Sequence, residues 1–451
     1  MPARSWRRSS SPGCSAPRTH RRVSAPSSTP AHPGSRTDDT TRPRRGRTPP
    51  VNQDWSDYLA AARREERRTR RHPDRHYPHC SEKGAWELLD ASAVSSWDGA
   101  SYEHGNWTAG FWFGTMWLAA RGLQDDAPAD RARAKLIDLR ERACDHTTHD
   151  LGFLFHSSLA LGYQCGFLDE KDVAPALDAA RMTVRRFNEP GRYIQAFGPV
   201  GELRGAGTST IDTLMNLPLL WWAHDLTGDP RLLEVARQHA RTSARLLVRP
   251  DGSTVHLMDL DPVSGAFLAE STLQGASPAS AWSRGSGWAI CGLAWAYAAC
   301  GEPELLAAAE RAAAYYERMS PLDAVPPWDF ADRSAEAPPD ASAGAAVALG
   351  YLILGTHHPD PAARDRFDTS ARQLLATLTR SALNRQDDVD GVLLHSCYSV
   401  PHGRGVDGAT AWGDFYYALA MAVAHGALPL ATVLGGRADR CTAPADAAGR
   451  G

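Results

Sequence analysis

Six stretches of this chain read as helices that are apolar on every side and then stop at a glycine. They are "GNWTAGFWFGTMWLAARG", "HDLGFLFHSSLALGYQCG", "TSTIDTLMNLPLLWWAHDLTG", "WSRGSGWAICGLAWAYAACG", "PDASAGAAVALGYLILG" and "TAWGDFYYALAMAVAHG". A helix without a polar face has no side to turn to water, so the rest of the protein must enclose it. Glycine past the last apolar turn suits the left-handed conformation that closes a helix. After five of the six comes a short acidic or proline-bearing link, such as "LQDDAP" or "HHPDP". A charged, amphipathic helix follows, for example "PRLLEVARQHARTSARLL", with proline just inside its start where the missing N–H costs nothing. The repeating unit is therefore a buried helix, a tight turn, a surface helix and a long return loop. The repeats start at Trp107, Asp150, Asp212, Arg284, Asp340 and Trp412, at spacings typical of repeat architectures.

Six enclosed helices running the same way, each backed by an outer one, can close into a ring. We expect an all-α fold, an (α/α)6 barrel or six-hairpin toroid; an open solenoid fits repeats this irregular less well. All six inner helices then begin at one mouth, where the long loops also gather. Six helix N-termini facing one cavity favour an anionic ligand.

The barrel is expected over residues 51–430, with a flexible tail over 431–451. Residues 1–50 are rich in Ser, Pro and Arg and hold almost nothing to bury, so they read as disordered. They carry 11 Arg against Asp38 and Asp39, which leaves 38 of the 49 basic and 50 of the 52 acidic residues to the rest of the chain. The folded part is thus acidic, and no nucleic-acid partner is expected. "SWRRSSSPG" has an arginine pair but no apolar segment after it, so no export signal is read there. No apolar run approaches the ~20 residues of a membrane span. The eight cysteines form no CxxC pair and read as free thiols of a cytoplasmic monomer or homodimer. "AARREERRTRRH" alternates charge in the manner of a solvated helix face.

The chemistry-bearing residues cluster at the inner-helix starts. Asp212 is a lone carboxylate at the front of an apolar run, and Asp150 in "THDLGF" holds the same place on the preceding inner helix. Either acid taken singly reads as a helix cap. Two at one mouth, among Trp, His and Arg, point to general acid and base work on a sugar. Pro218 lacks the N–H that would bond to Leu214 and is expected to kink the helix behind Asp212. Trp107, Trp112, Trp282, Trp288 and Trp412 lie near helix starts, where sugar stacking competes with core packing as their role. Arg284, in "WSRGSGW", suits a carboxylate clamp, with an ion pair to an Asp as the plainer alternative. His149 and His256 can orient a carboxylate or bind a hydroxyl. No metal-ligand spacing, phosphate loop or GxSxG elbow is present, so neither metal nor cofactor is expected.

Taken together, "NWTAGFWFG", "HDLGF", "IDTLMN", "TLQG", "WSRGSGW", "DASA" and "WGDFYY", in that order between Trp107 and Asp414, resemble the unsaturated glucuronyl hydrolases of glycoside hydrolase family 88. The resemblance implies an (α/α)6 barrel, as reached above on other grounds. It implies an unusual reaction, in which a 4,5-unsaturated uronic acid is removed from the non-reducing end of a lyase-generated oligosaccharide. C4 of the vinyl ether is protonated, water adds at C5, and the hemiketal opens. Asp212 would then be the acid and Asp150 its partner. Asn106, Trp107 and Trp288 would border the sugar, with Phe197 where a Trp platform is expected. His149, His256 and Gln274 would contact substrate or water, and Arg284 would face the uronate. The chain departs from the family pattern at Ala109, Phe113, Phe197, Ser286 and Ala341. An unsaturated rhamnogalacturonyl hydrolase, a sugar epimerase and a non-catalytic glycan-binding toroid are the alternatives on the same fold.

Overall fold

A computed structural model describes residues 53–97 and 102–435, and the expected disordered segment and most of the expected tail lie outside them. Walking along the chain, outer helices alternate with inner ones. The outer set is α1 (Gln53–Thr69), α3 (Ala127–Lys135), α6 (Ala174–Arg185), α8 (Pro230–Leu246), α10 (Pro303–Met319) and α12 (Pro361–Ser381). The inner set is α2 (Ala109–Leu123), the broken helix α4 (Leu151–Phe155) and α5 (Leu161–Gln164), α7 (Pro218–Thr227), α9 (Ser283–Cys300), α11 (Ala341–His357) and α13 (Ala411–Ala424). Each inner helix packs on the next, with α9 meeting the 3-10 turn Ile211–Asn216 that leads into α7, and α13 packs back on α2, so the ring closes. The (α/α)6 expectation holds. A short helix, α14 (Leu430–Val433), carries the packed chain past residue 430, with Val433 buried.

The return loops build small sheets that an all-α reading leaves out. β1 (His76–Glu82) pairs with β2 (Ala85–Asp90), β3 (Ser96–Trp97) with β4 (Tyr102–Glu103), and β5 (Phe187–Asn188) with β6 (Tyr193–Ile194). β7 (Thr208–Thr210), β8 (Leu257–Leu260) and β9 (Phe267–Ser271) form a three-stranded antiparallel sheet whose first strand runs directly into the Asp212 segment.

Local chemistry accounts for the helix ends, with two exceptions. Asp229 and Asp360 cap α8 and α12 by accepting from Arg231 N and Ala362 N, each with proline in the first turn. Gly166, Gly228, Gly301 and Gly426 take the left-handed conformation after their inner helices, as expected. Gly122 and Gly355 instead lie inside α2 and α11. A side chain at Gly122 would strike Leu59, and one at Gly355 would press on the backbone of Asp368, so these glycines admit outer helices rather than end inner ones.

α1 corrects another expectation. Its charged run is not a solvated face, because Glu65 and Glu66 are buried. Glu65 accepts from Trp86 Nε1 at 2.7 Å and Gly391 N at 2.8 Å, and Glu66 pairs with Arg131 and Arg70. Apart from Arg70, one turn on, these partners lie outside the run, so charge alternation alone could not show them. α1 supplies the sixth outer helix, packing on α2, α12 and α13.

Two inner elements depart from ideal helices where the site is built. A π turn over His156–Ala160 separates α4 from α5, with Ser157 and Ser158 bonding back to the carbonyls of Phe153 and Leu154. The Asp212 segment is a 3-10 turn, Ile211–Asn216, and the α-helix begins only at Pro218. Proline therefore starts a helix here rather than kinking one, consistent with its missing N–H. The 3-10 turn touches α4 at Gly152, where a Cβ would lie 2.4 Å from the Cα of Asn216. Gly152→Ala should cost about 1–3 kcal/mol by overpacking a backbone crossing that cannot relax. Denaturant unfolding measures this, and an unchanged midpoint would refute the crossing's rigidity.

Candidate active site

The inner-helix starts and return loops line one narrow cavity. Asp150 and Asp212 both line it, together with Trp107, His149, Phe197, His256, Gln274, Arg284 and Trp288. Nine of the ten residues expected at the site therefore meet in one place. The sequence reading missed His104, Phe153, Thr210 and Leu273, which also line it, and weighed Trp282 only as an aromatic near a helix start. His104 and Leu273 come from loops without a pattern of their own. Phe153 and Thr210 had a signal available, since each lies within three residues of an acid.

The two acids are brought together by the crossing at Gly152. Asn216 Oδ1 accepts from Phe153 N at 2.8 Å, and Asn216 Nδ2 donates to the carbonyl of Asp212 at 3.3 Å. One amide thus ties the start of α4 to the 3-10 turn. Carboxylate oxygens of Asp150 and Asp212 and a ring nitrogen of His149 all lie within 4.8 Å of one another. Asp150 Oδ2 accepts from Thr148 Oγ1 at 2.8 Å, while Asp150 Oδ1 is 3.4 Å from His149 Nε2. His149 Nδ1 is fixed by Thr213 Oγ1 at 2.8 Å. Asp212 differs from its partner, because its enclosed Oδ1 has no hydrogen-bond partner in the protein. A buried acceptor left unpaired by the protein is costly unless water or a ligand meets it.

Histidines on the opposite wall are held neutral. His256 Nδ1 accepts from Leu273 N at 3.2 Å and Gln274 N at 3.3 Å, so its proton sits on Nε2. Burial pushes its pKa down to about 4, against the pull of Asp212. Burial also lowers that of His104, opposed by the charges of Asp150 and Asp212. Aromatic surface lines the rest. Trp107 stacks on Trp412 with centroids 4.9 Å apart, Phe153 lies 5.5 Å from Trp107 and 5.9 Å from Trp288, and Trp282 covers His256 at 4.7 Å. Phe197 stands edge-on to His149 and His104. Buried Arg186 holds its loop by donating to the carbonyls of Gln195, Ala196 and Gly198. Ser286, one of the departures from the family pattern, is buried and bonds to Thr254 Oγ1 at 3.0 Å.

No family model matches the chain. Individual proteins do. An unsaturated glucuronyl hydrolase of Bacillus sp. (strain GL1) is 36% identical over 328 residues, covering 70% of this chain and 85% of the relative. Its crystal structure superposes with a TM-score of 0.72 at 32% identity, covering 82% of this chain and 96% of that one. The chain belongs to the unsaturated glucuronyl hydrolase family. An unsaturated chondroitin disaccharide hydrolase of Streptococcus pyogenes serotype M1 is 33% identical over 71% of this chain and 82% of its own length. A Streptococcus agalactiae unsaturated glucuronyl hydrolase, solved as an Asp-to-Asn mutant complexed with dGlcA-GalNAc6S, matches with a TM-score of 0.67 at 26% identity, over 81% and 90% of the two chains.

As a member of this glycoside hydrolase family, the protein revises two sequence-based assignments. Asn106 does not line the cavity. It is wholly buried, its Oδ1 accepts from Thr108 N and Ala109 N to cap α2, and its Nδ2 donates to Leu89 O at 2.9 Å. Both ends of its amide are engaged, so it positions Trp107 next to it and leaves nothing for a sugar. Arg284 borders the cavity, but its guanidinium is already paired. Nη1 meets Asp340 Oδ2 at 3.1 Å and the carbonyl of Cys397, while Nη2 donates to Gln274 Oε1 at 2.6 Å and Tyr398 O at 2.8 Å. The ion-pair alternative is the one realised. Arg284 lies over Trp282 at 4.2 Å and Trp412 at 5.0 Å, and it orients Gln274.

The buried histidines set a pH dependence of stability. Burial lowers His79, His156 and His239 to about 3 and His256 to about 4, below the ~6.5 of an unfolded chain. Between those limits the unfolded state binds more protons, so stability is fully present above about pH 6.5 and falls as pH drops toward 4. Urea midpoints at pH 7 and pH 5 check this; equal midpoints with equal slopes would contradict it.

Proposed function

We propose that this chain removes a 4,5-unsaturated uronic acid from the non-reducing end of lyase-generated glycosaminoglycan-type oligosaccharides by hydrating the vinyl ether double bond. The observation carrying this reading is the enclosed, unpartnered Oδ1 of Asp212 beside Asp150, in a cavity walled by Trp107, Trp282 and Trp288. An acid meant to give a proton to carbon must be held away from competing acceptors, and an aromatic wall keeps bulk water from the cation that forms.

The steps follow from the placement of groups. Asp212 delivers its proton to C4, and the ring oxygen shares the positive charge that develops at C5. Water adds at C5 and loses its proton to the Asp212 carboxylate, which restores the acid. The hemiketal then opens, O5 leaves C5 with a proton, and C1 becomes a hemiacetal that expels the remaining sugar as an alcohol. Asp150, braced by Thr148 and facing His149, holds the hydroxyls of the uronate and stabilises the developing charge. His256, with its proton on Nε2, donates to substrate or water, and Gln274 does so under the hold of Arg284. Phe197 takes the place of an indole platform and covers the sugar from the return loop.

The relatives named for unsaturated chondroitin disaccharides support a glycosaminoglycan-derived disaccharide as the substrate class. Free thiols at Cys80, Cys165, Cys291 and Cys397 support a reducing compartment, the cytoplasm. Among the described residues no helix is long and apolar enough to cross a membrane.

Incubation with unsaturated chondroitin, hyaluronan and heparin-type disaccharides should abolish the ultraviolet absorbance of the C4–C5 double bond. Asp212→Asn should lower kcat by about a hundredfold to ten-thousandfold, the range expected for loss of a general acid. Steady-state rates on the preferred disaccharide measure this, and a variant within a few-fold of the parent would remove Asp212 from the mechanism.

A further inference from the structure

We propose that His149, Asp150 and Asp212 also form a binding site for a zinc-like divalent cation, and that its occupancy competes with catalysis. The competition rests on the reading of Asp212 as the proton donor; the binding itself rests on geometry alone. The three side chains offer one ligand atom each within 4.8 Å of one another. Zinc with nitrogen and oxygen ligands at about 2.0–2.1 Å sets neighbouring tetrahedral ligands roughly 3.4 Å apart. His149 Nε2 and Asp150 Oδ1 stand 3.4 Å apart, so two corners of such a site exist without movement.

The surroundings resemble those of a metal site in their outer contacts. Ligating imidazoles generally donate their other N–H to an oxygen, which fixes the ring. His149 Nδ1 meets Thr213 Oγ1 at 2.8 Å, and Thr213 Oγ1 bonds on to Thr210 Oγ1 at 3.2 Å. Asp150 Oδ2 is held by Thr148 Oγ1, which leaves Oδ1 for the ion. A carboxylate oxygen of Asp212 supplies the third ligand, and the enclosed Oδ1 of that carboxylate has no protein partner to give up. The nearest permanent cation of the cavity, Arg284, is paired with Asp340 and does not cancel the charge of the two acids. Three protein ligands, one of them imidazole, suit zinc better than magnesium or calcium, and they leave a fourth position for water or a sugar hydroxyl. A bound ion would hold the lone pair of Asp212 that must carry the proton to C4.

The test uses the full chain, dialysed against a chelator and titrated with zinc chloride by calorimetry, with cobalt chloride and its visible absorption as a second probe. One ion per chain is expected, with binding weakened about tenfold or more in Asp212→Asn and in Thr213→Val, which removes only the outer contact. Zinc should raise the apparent KM, and chelator should restore the rate. A second group of possible ligands is His79, Cys80 and Glu87, with the His79 ring against Trp107. Loss of binding in Cys80→Ser but not in Asp212→Asn would overturn the proposal, as would no binding at all. Chelated enzyme that needs zinc for turnover would overturn the competition. Protein that binds cobalt through Asp212 but turns over no unsaturated disaccharide would leave the site standing and overturn the hydrolase reading instead.

Discussion

The contact on which the site depends is the crossing of two backbones at Gly152 and Asn216. Any side chain at position 152 would overlap the Asn216 backbone, and the Asn216 amide bonds across the crossing to Phe153 N. With α4 and the 3-10 turn locked at that point, Asp150 and Asp212 have little freedom in their separation. Their carboxylates end within 4.8 Å although the two acids stand 62 positions apart in the sequence. The same asparagine holds the Asp212 carbonyl, so the turn that carries the acid is braced at both ends. Chemistry at the mouth of the ring is thus a consequence of how tightly two inner elements can approach.

A second fastening works from the opposite wall. Arg284 gathers α9, the N-terminus of α11 through Asp340, the chain at Cys397 and Tyr398, and the side chain of Gln274. A fully buried guanidinium is tolerated only because its donors are met and Asp340 neutralises it. The result is a rigid packing of Trp282 and Trp412 around the guanidinium, with cation–π contacts to both rings, and Trp282 also lines the cavity. Between the two fastenings, two acids, three histidines, Thr210, Gln274 and Arg284 face the cavity, and five aromatic rings and Leu273 line the rest.

Much of this was legible in the sequence because burial leaves a strong imprint. Apolar residues on every side of six runs could mean only enclosed helices, and equivalent positions at their starts placed Asp150 and Asp212 at one mouth. What stayed hidden depends on partners distant in the chain. Arg284 reads as a free clamp until Asp340 and the carbonyls of residues 397 and 398 are seen around it. Asn106 reads as a polar neighbour of Trp107 until both ends of its amide are found bonded to backbone. Glu65 and Glu66 look solvated in a charge-alternating run, yet Trp86, Gly391 and Arg131 draw them inward. Gly122 and Gly355 show that the same residue can end a helix or admit a neighbour, and sequence alone does not distinguish the two.

The central claim is that cleavage proceeds through proton delivery from Asp212 to C4 rather than through attack at the anomeric carbon. Its most direct test is single-turnover reaction of an unsaturated disaccharide in deuterium oxide, with the released uronic acid followed by NMR. The account predicts one deuterium placed stereospecifically at C4, appearing at the rate at which the double bond is lost, with both processes failing together when Asp212 is replaced by Asn. Release of a uronic acid that keeps its C4–C5 double bond would contradict it.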